Sequence, residues 1–200
     1  MATIDPEENT DSAPERISFS LTINLDREDF FRRACPSCGL EFKTEGNPAD
    51  FSWALESELR RASQEVDVEV PNVSGDDSPM EILRCPYCGH ENDAKEMHTE
   101  ETHSYLRLIA MREYALPRLH QMLLEFTNSL NQLGGGSGLV SLSIKSDYQA
   151  PPLPQRPFYG PDIPDMIILK FLCCGKQLKV LEGWSDVNQC SYCATQVKVI

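Results

Sequence analysis

The chain has 200 residues, a formal charge of -13 and 40% hydrophobic residues, enough for one substantial domain or two small ones. So acidic a chain is repelled by phosphate backbones at long range, which argues against non-specific nucleic-acid binding. No apolar run approaches the roughly 20 residues that span a bilayer, and the acidic, polar start from Met1 to Glu15 is not a secretory signal. A cytoplasmic location and no membrane association are therefore expected.

In chain order, residues 1–15 read as a disordered acidic arm. Ile17, Phe19, Leu21, Ile23 and Leu25 alternate with Ser18, Ser20, Thr22 and Asn24, which predicts a strand with one buried face. The segment from Asp26 to Arg33 leads into a first cysteine turn, and Leu40–Lys43 leaves it as a strand. The 46 residues 39–84 between two cysteine pairs exceed a minimal hairpin loop and imply an insertion. Within it, Asp50 or Ser52 is expected to cap a helix through Phe51, Ala54, Leu55, Leu59 and Ala62. Val66, Val68 and Val70 predict a half-exposed strand, Pro71–Pro79 a polar turn, and Met80–Leu83 a return strand.

Thr99 is a suitable N-cap for a long helix reaching about Asn131, with Glu100 and Glu101 in its first turn. Pro117 should kink this helix or divide it. Leu116, Leu119, Leu123, Phe126, Leu130 and Leu133 recur at alternating spacings of three and four, and Tyr105 and Ile109 extend the stripe upstream. Such a stripe suits either a coiled-coil partner, self-association included, or the protein's own sheet. Gly134-Gly135-Gly136-Ser137-Gly138 ends the helix as a hinge, and lacks the Lys-Ser/Thr ending of a phosphate loop. Val140, Leu142 and Ile144 predict a further strand. The proline-rich stretch from Gln149 to Pro164 should be extended, keeping the two halves of the chain apart. Its Pro151-Pro152-Leu153-Pro154-Gln155-Arg156 fits both a stiff linker and a ligand for a proline-binding groove. Met166–Leu172 then predicts a strand.

All eight cysteines fall into four close pairs, and the pairs into two sets. Cys35 and Cys38 pair with Cys85 and Cys88, each half reading Cys-Pro-x-Cys-Gly. Cys173 and Cys174 pair with Cys190 and Cys193. Four thiolates converging from two short turns suit a tetrahedral, closed structural site, so two structural Zn²⁺ ions are expected. Cysteine turns in a chain with no secretory signal read as metal ligands in a reducing compartment rather than as disulfides. The second set departs from the usual turn, because Cys173 and Cys174 are adjacent and should project in divergent directions. Either both bind one ion with local distortion, or Cys173 is a core residue or a reactive thiol.

Cys85-Pro86-Tyr87-Cys88-Gly89 with its following Thr-Glu-Glu helix start resembles the zinc-ribbon region of uncharacterised bacterial proteins. Phe171-Leu172-Cys173-Cys174-Gly175-Lys176-Gln177-Leu178-Lys179-Val180, then Gly183, then Cys190-Ser191-Tyr192-Cys193 and Val197-Lys198-Val199-Ile200, is similar to another widespread zinc-ribbon pattern. Neither resemblance implies an activity. The expected fold is α+β: an N-terminal zinc-ribbon lobe over 16–98 with an insertion, a long kinked helix over 99–133, a hinge, strand and proline-rich linker over 134–165, and a C-terminal zinc ribbon over 166–200.

His90, His98, His103 and His120 form no metalloprotease motif, and no nucleophilic triad is defensible from spacing. The expected function is non-catalytic: an adaptor or accessory subunit that binds a protein partner or larger complex, with Trp184 either a contact anchor or packed on its own ribbon. The alternative is nucleic-acid binding by the C-terminal ribbon. Residues 1–80 hold 18 acidic and 7 basic side chains, residues 134–200 only 5 and 6, so Lys170, Lys176, Lys179 and Lys198 would carry it, with Tyr192 and Trp184 as stacking groups. The same lysines also read as a solvated ribbon surface. A lesser alternative is thiol chemistry at Cys173 and Cys174.

Overall fold

The computed structural model describes residues 21–67, 81–133, 148–161, 165–184, 187 and 189–197, with the side chains of 131–133 excepted. The fold is α+β. A four-stranded antiparallel sheet joins β1 (Phe30–Ala34), β2 (Glu41–Glu45), β6 (Gln177–Leu181) and β5 (Met166–Lys170) in that order, and β3 (Ile82–Arg84) pairs with β4 (Glu91–Asp93) as a separate hairpin. Helix α1 (Pro48–Glu65) follows β2. A 3-10 turn over Ala94–Met97 follows β4 and leads into α2 (Glu100–Ala110), a π turn (Met111–Ala115) and α3 (Leu116–Leu133).

Two of the expected elements differ in the structure. Residues 21–26 form no strand; Leu21 and Ile23 instead pack as irregular chain against the helical core, and the Tyr105 hydroxyl holds the Thr22 carbonyl at 3.1 Å. Alternation alone selects a buried face, but a strand also needs an edge to pair with. The cap of α1 is Asn47, whose side chain accepts the Ala49 N–H, with Pro48 in the first turn. Asp50 is instead fully buried, because Arg33 holds it. The expected acidic arm, the glycine hinge, the Val140–Ile144 strand and the Pro71–Pro79 turn lie outside the described residues, as do Val68 and Val70.

The long helix starts where expected: Thr99 Oγ1 accepts the Thr102 N–H, and Glu100 and Glu101 occupy the first turn. A regular helix at Pro117 would push the proline ring into the carbonyl one turn back. The π turn just before it widens that turn and relieves the clash, so the helix bends and continues without dividing.

Helix α1 packs on α2, burying Ala54, Leu55, Leu59 and Ala62 against Tyr105, Leu106, Ile109 and Ala110. Two smaller cores lie under the cysteine turns. One holds Cys35, Phe42, Leu83, Cys85, Ala94 and Met97; the other holds Phe171, Leu178, Val180, Val187 and Cys190. Tyr87 and Tyr192 pack against both.

The proline-rich stretch does not keep the two halves apart. Strand β6 is hydrogen-bonded to β2, with Lys43 opposite Lys179 and Thr44 opposite Leu178. Two lysines facing each other across this join would repel, but Asp26 accepts both ammonium groups, at 2.8 and 2.7 Å, and Glu28 takes Lys179 at 2.7 Å. The proline-rich stretch lies along the N-terminal lobe and the long helix instead, where Asn24 donates to the Pro157 carbonyl and Arg112 to that of Pro151.

Candidate metal centres

Each cysteine pair sits at the tip of an antiparallel hairpin or bridge: β1–β2, β3–β4, β5–β6 and the Gln189–Gln196 pair. The four turns share one hydrogen-bond frame. In the first, the Cys35 N–H donates to the Leu40 carbonyl at 3.0 Å and the Gly39 N–H to the Cys35 carbonyl at 2.9 Å. Cys85, His90 and Gly89 repeat this frame at 2.8 and 3.0 Å, and Cys190, Thr195 and Ala194 at 2.9 and 3.1 Å. The residue closing each frame is left-handed: φ is +72° at Gly39, +74° at Gly89, +74° at Gly175 and +59° at Ala194. A β-carbon at Gly39, Gly89 or Gly175 would meet nothing within 4 Å, so backbone conformation rather than space selects glycine there.

The remaining turn keeps the frame and shifts the ligand. Phe171 donates to the Lys176 carbonyl at 2.9 Å and its own carbonyl accepts Gly175 at 2.7 Å, so Phe171 occupies the position that Cys35, Cys85 and Cys190 occupy elsewhere. It is 2% exposed, as buried as those cysteines. Cys174 matches Cys38, Cys88 and Cys193. Cys173 falls where the other turns carry Ser37, Tyr87 and Tyr192. The turn has lost no spacer residues; its first thiol has moved two places along.

Two four-thiol clusters result. Within each, the sulfurs of Cys35, Cys38, Cys85 and Cys88, and of Cys173, Cys174, Cys190 and Cys193, lie within 4.8 Å of one another. A tetrahedral ion with metal–sulfur bonds of about 2.3 Å keeps its sulfurs about 3.8 Å apart. The observed separations include 3.6 Å for Cys35–Cys88, 3.8 Å for Cys38–Cys85, 3.5 Å for Cys174–Cys190 and 3.4 Å for Cys173–Cys193. Each cluster can hold a metal ion, and the adjacent Cys173 and Cys174 both reach theirs.

The surroundings act on the sulfurs in opposite directions. Cys85 takes the N–H groups of Tyr87 and Cys88, yet burial outweighs them and pushes its thiol up. Cys190 takes those of Tyr192 and Cys193, and burial pushes it up to about 12. Cys88 is lowered by the His90 N–H, and Cys193 is lowered to about 6 by the hydroxyl and N–H of Thr195. A metal must expel the protons of Cys85 and Cys190, so loading weakens as pH falls.

The lysines expected to form a basic surface are dispersed. Lys179 is fully buried against Asp26, and Lys176 pairs with Glu81 while lying over the Tyr192 ring at 4.5 Å. Lys170 is exposed, and Lys198 lies outside the described residues. Tyr192 donates to the Gln177 carbonyl at 2.6 Å, and Trp184 packs edge-on against Tyr87 of the N-terminal lobe, 5.1 Å between ring centres. Among the described residues, no helix is long and apolar enough to cross a membrane.

Sequence reasoning missed the joint that sets the clusters' relative positions. Tyr87 lies inside the first cluster's second turn; its hydroxyl donates to the Glu41 carbonyl at 2.6 Å and accepts the Leu181 N–H at 3.0 Å, tying β3–β4 to β2 and β6 at once. Only its place between two ligands hinted at such a role. Among known proteins, no family model, no curated protein and no solved structure matches the chain.

Proposed function

We propose that this chain is an intracellular, non-catalytic adaptor or accessory subunit whose two four-cysteine clusters each hold a structural Zn²⁺. The metals replace cores too small to fold alone, holding the hairpins as a rigid body from which a helix projects. Four thiolates with backbone N–H donors and no histidine or carboxylate in either group match closed structural zinc sites.

One observation carries the binding reading. Part of the expected apolar stripe lies open on α3: Leu123, Phe126 and Leu130 are 52, 62 and 41% exposed, with Met122 beside them at 44%, while Leu116 and Leu119 are half-buried. Covering half-exposed side chains of this size contributes roughly 1 kcal/mol each, which favours a second apolar surface over water. The helix still turns one face towards its own protein, where Thr127 is buried and His120 stacks on Tyr148, and the apolar side chains above lie off that face.

The test combines native mass spectrometry of the protein from its own host with a doubly charged variant, Leu123→Asp with Phe126→Asp. Two zincs and a stoichiometric protein partner, or a second copy, are expected for the natural chain. The variant should keep both zincs and lose the partner. A lone chain that is retained on DNA or RNA in a steeply salt-dependent manner would reject the adaptor reading in favour of nucleic-acid binding.

A further inference from the structure

The two clusters share a hydrogen-bond frame but not a pattern of protection. In the first, the two frame-opening cysteines, Cys35 and Cys85, are 1% and 2% exposed, and the other two are open to solvent. In the second, only Cys190 is buried; Cys173, Cys174 and Cys193 are all exposed. The difference traces to Phe171. At the frame-opening position a cysteine sulfur is surrounded by core and accepts the N–H groups two and three residues on, as Cys85 and Cys190 do. In the Phe171 turn the corresponding amides belong to Cys173 and Cys174 themselves, and the phenyl ring at the ligand position accepts nothing. The ring fills the small core with Leu178, Val180 and Val187, and so displaces the fourth thiol to the outside of the turn.

We propose that the second cluster is an exchangeable metal site and that Cys173 is the ligand that gives way to an incoming thiol or chelator. This rests on the reading that both clusters hold metal. Donors around a ligand fix its orientation and are worth about 10- to 100-fold in metal affinity, and Cys173 has moved away from the place where such donors converge. An incoming small-molecule thiolate reaches the metal from the solvent side and forms its sulfur–metal bond there. The bond to the Cys173 sulfur breaks, and the freed Cys173 thiolate takes a proton from water. No electrons are transferred. The first cluster, with a buried cysteine from each of its turns, keeps its ion under the same challenge.

The experiment challenges the two-zinc protein with a chelator plus a small thiol and follows the metal count by native mass spectrometry. Pulses of a thiol-alkylating reagent locate the freed cysteines by mass. One zinc should leave about 10- to 100-fold faster than the other, with Cys173 alkylated first and Cys35 and Cys85 last. Phe171→Cys combined with Cys173→Ser returns the ligand to the frame position and should slow the fast phase to the rate of the first cluster. Cys173→Ser alone, which leaves the Phe171 core intact, should lose the second zinc and retain the first.

Equal release rates, or earlier loss from the first cluster, would overturn the inference and leave the structural zinc reading standing. So would alkylation of Cys173 in protein that carries two zincs before any thiol or chelator is added, since Cys173 would then be no ligand. A natural chain that takes up no zinc at either cluster would overturn both.

Discussion

At the scale of single residues, the chain buries an unusual amount of charge and polarity, and most of it is paired. Arg33, 1% exposed, donates to Asp50 at 2.5 Å, to the Ala94 carbonyl at 2.6 Å and to Thr44 at 2.6 Å, tying β1 to α1 and to the turn before α2. The hydroxyls of Ser63 and Ser191 are exceptions, and so is His98. It is 4% exposed, stacked on Phe51 and edge-on to Phe31, and neither ring nitrogen has a hydrogen-bond partner. Burial, with Arg33 and His103 nearby, holds its pKa well below the usual 6.5. The unfolded chain therefore takes up a proton near pH 6.5 that the folded protein refuses. Stability should be full above that pH and fall as pH drops towards the depressed folded value. Asp26 acts lower down: burial opposes its ionisation, but hydrogen bonds from Lys179 and Lys43 outweigh this and hold its pKa below 3.8, so its contribution is lost only as pH falls through that lowered value. His98→Phe should abolish the upper limb of the pH–stability curve and leave the lower one. At pH 8 it should raise stability by on the order of 1 kcal/mol, since it removes two unpaired buried nitrogens. Denaturant unfolding from pH 8 down to pH 2 measures both limbs.

At the scale of elements, the cysteine turn is the repeated unit, and its tolerance of substitution is visible within the molecule. Three turns close on glycine and one on Ala194, at φ +59°. A left-handed alanine costs roughly 1–2 kcal/mol in the folded chain, against which glycine gives up about 0.5–1 kcal/mol of extra unfolded-state freedom. Ala194→Gly should therefore be neutral to stabilising by up to about 1 kcal/mol. A fall in melting temperature for the metal-loaded variant would show that this turn is not held in the frame it shares with the others. The long helix is the second element of consequence. Its cap and first turn were legible because Thr99 and the two glutamates act locally, and its bend because Pro117 has a local steric effect. Its open apolar face was not, because spacing alone does not say whether a stripe faces a sheet or a second protein.

At the scale of the whole molecule, the N-terminal lobe and the C-terminal ribbon form one sheet. The β2–β6 pairing, the Asp26 clasp on two lysines, the Tyr87 hydroxyl and the bond from the Arg84 N–H to the Ser191 carbonyl at 2.9 Å all cross that join. The first cluster is integral to this arrangement, since it holds the β3–β4 hairpin, and with it Tyr87, against β1–β2. Loss of one of its cysteines should therefore be felt across the sheet. Metal free energies of about 10–16 kcal/mol exceed the whole stability of an ordinary domain, so Cys88→Ser should unfold the N-terminal lobe and weaken the Leu181 amide's protection from hydrogen exchange. A soluble Cys88→Ser protein that still carries both metals, with Leu181 protected, would contradict this.

By itself the sequence determined the α+β class, the grouping of eight cysteines into two sets of four, the long helix with its cap and its bend, and one strand beside each of three turns, β2, β3 and β5. These rest on interactions within a few residues, and spacing records them. Only the tertiary structure decided that β6 would cross to β2, that Lys179 would be buried rather than basic surface, that Asp50 would bind Arg33 rather than cap α1, and that residues 21–26 would pack without strand pairing. It also decided how adjacent Cys173 and Cys174 both reach one cluster. Each of these depends on partners far apart in the chain: Lys179 on Asp26, Asp50 on Arg33, and Cys173 on Cys190 and Cys193, which it meets because Phe171 packs among Leu178, Val180 and Val187 at the frame-opening position.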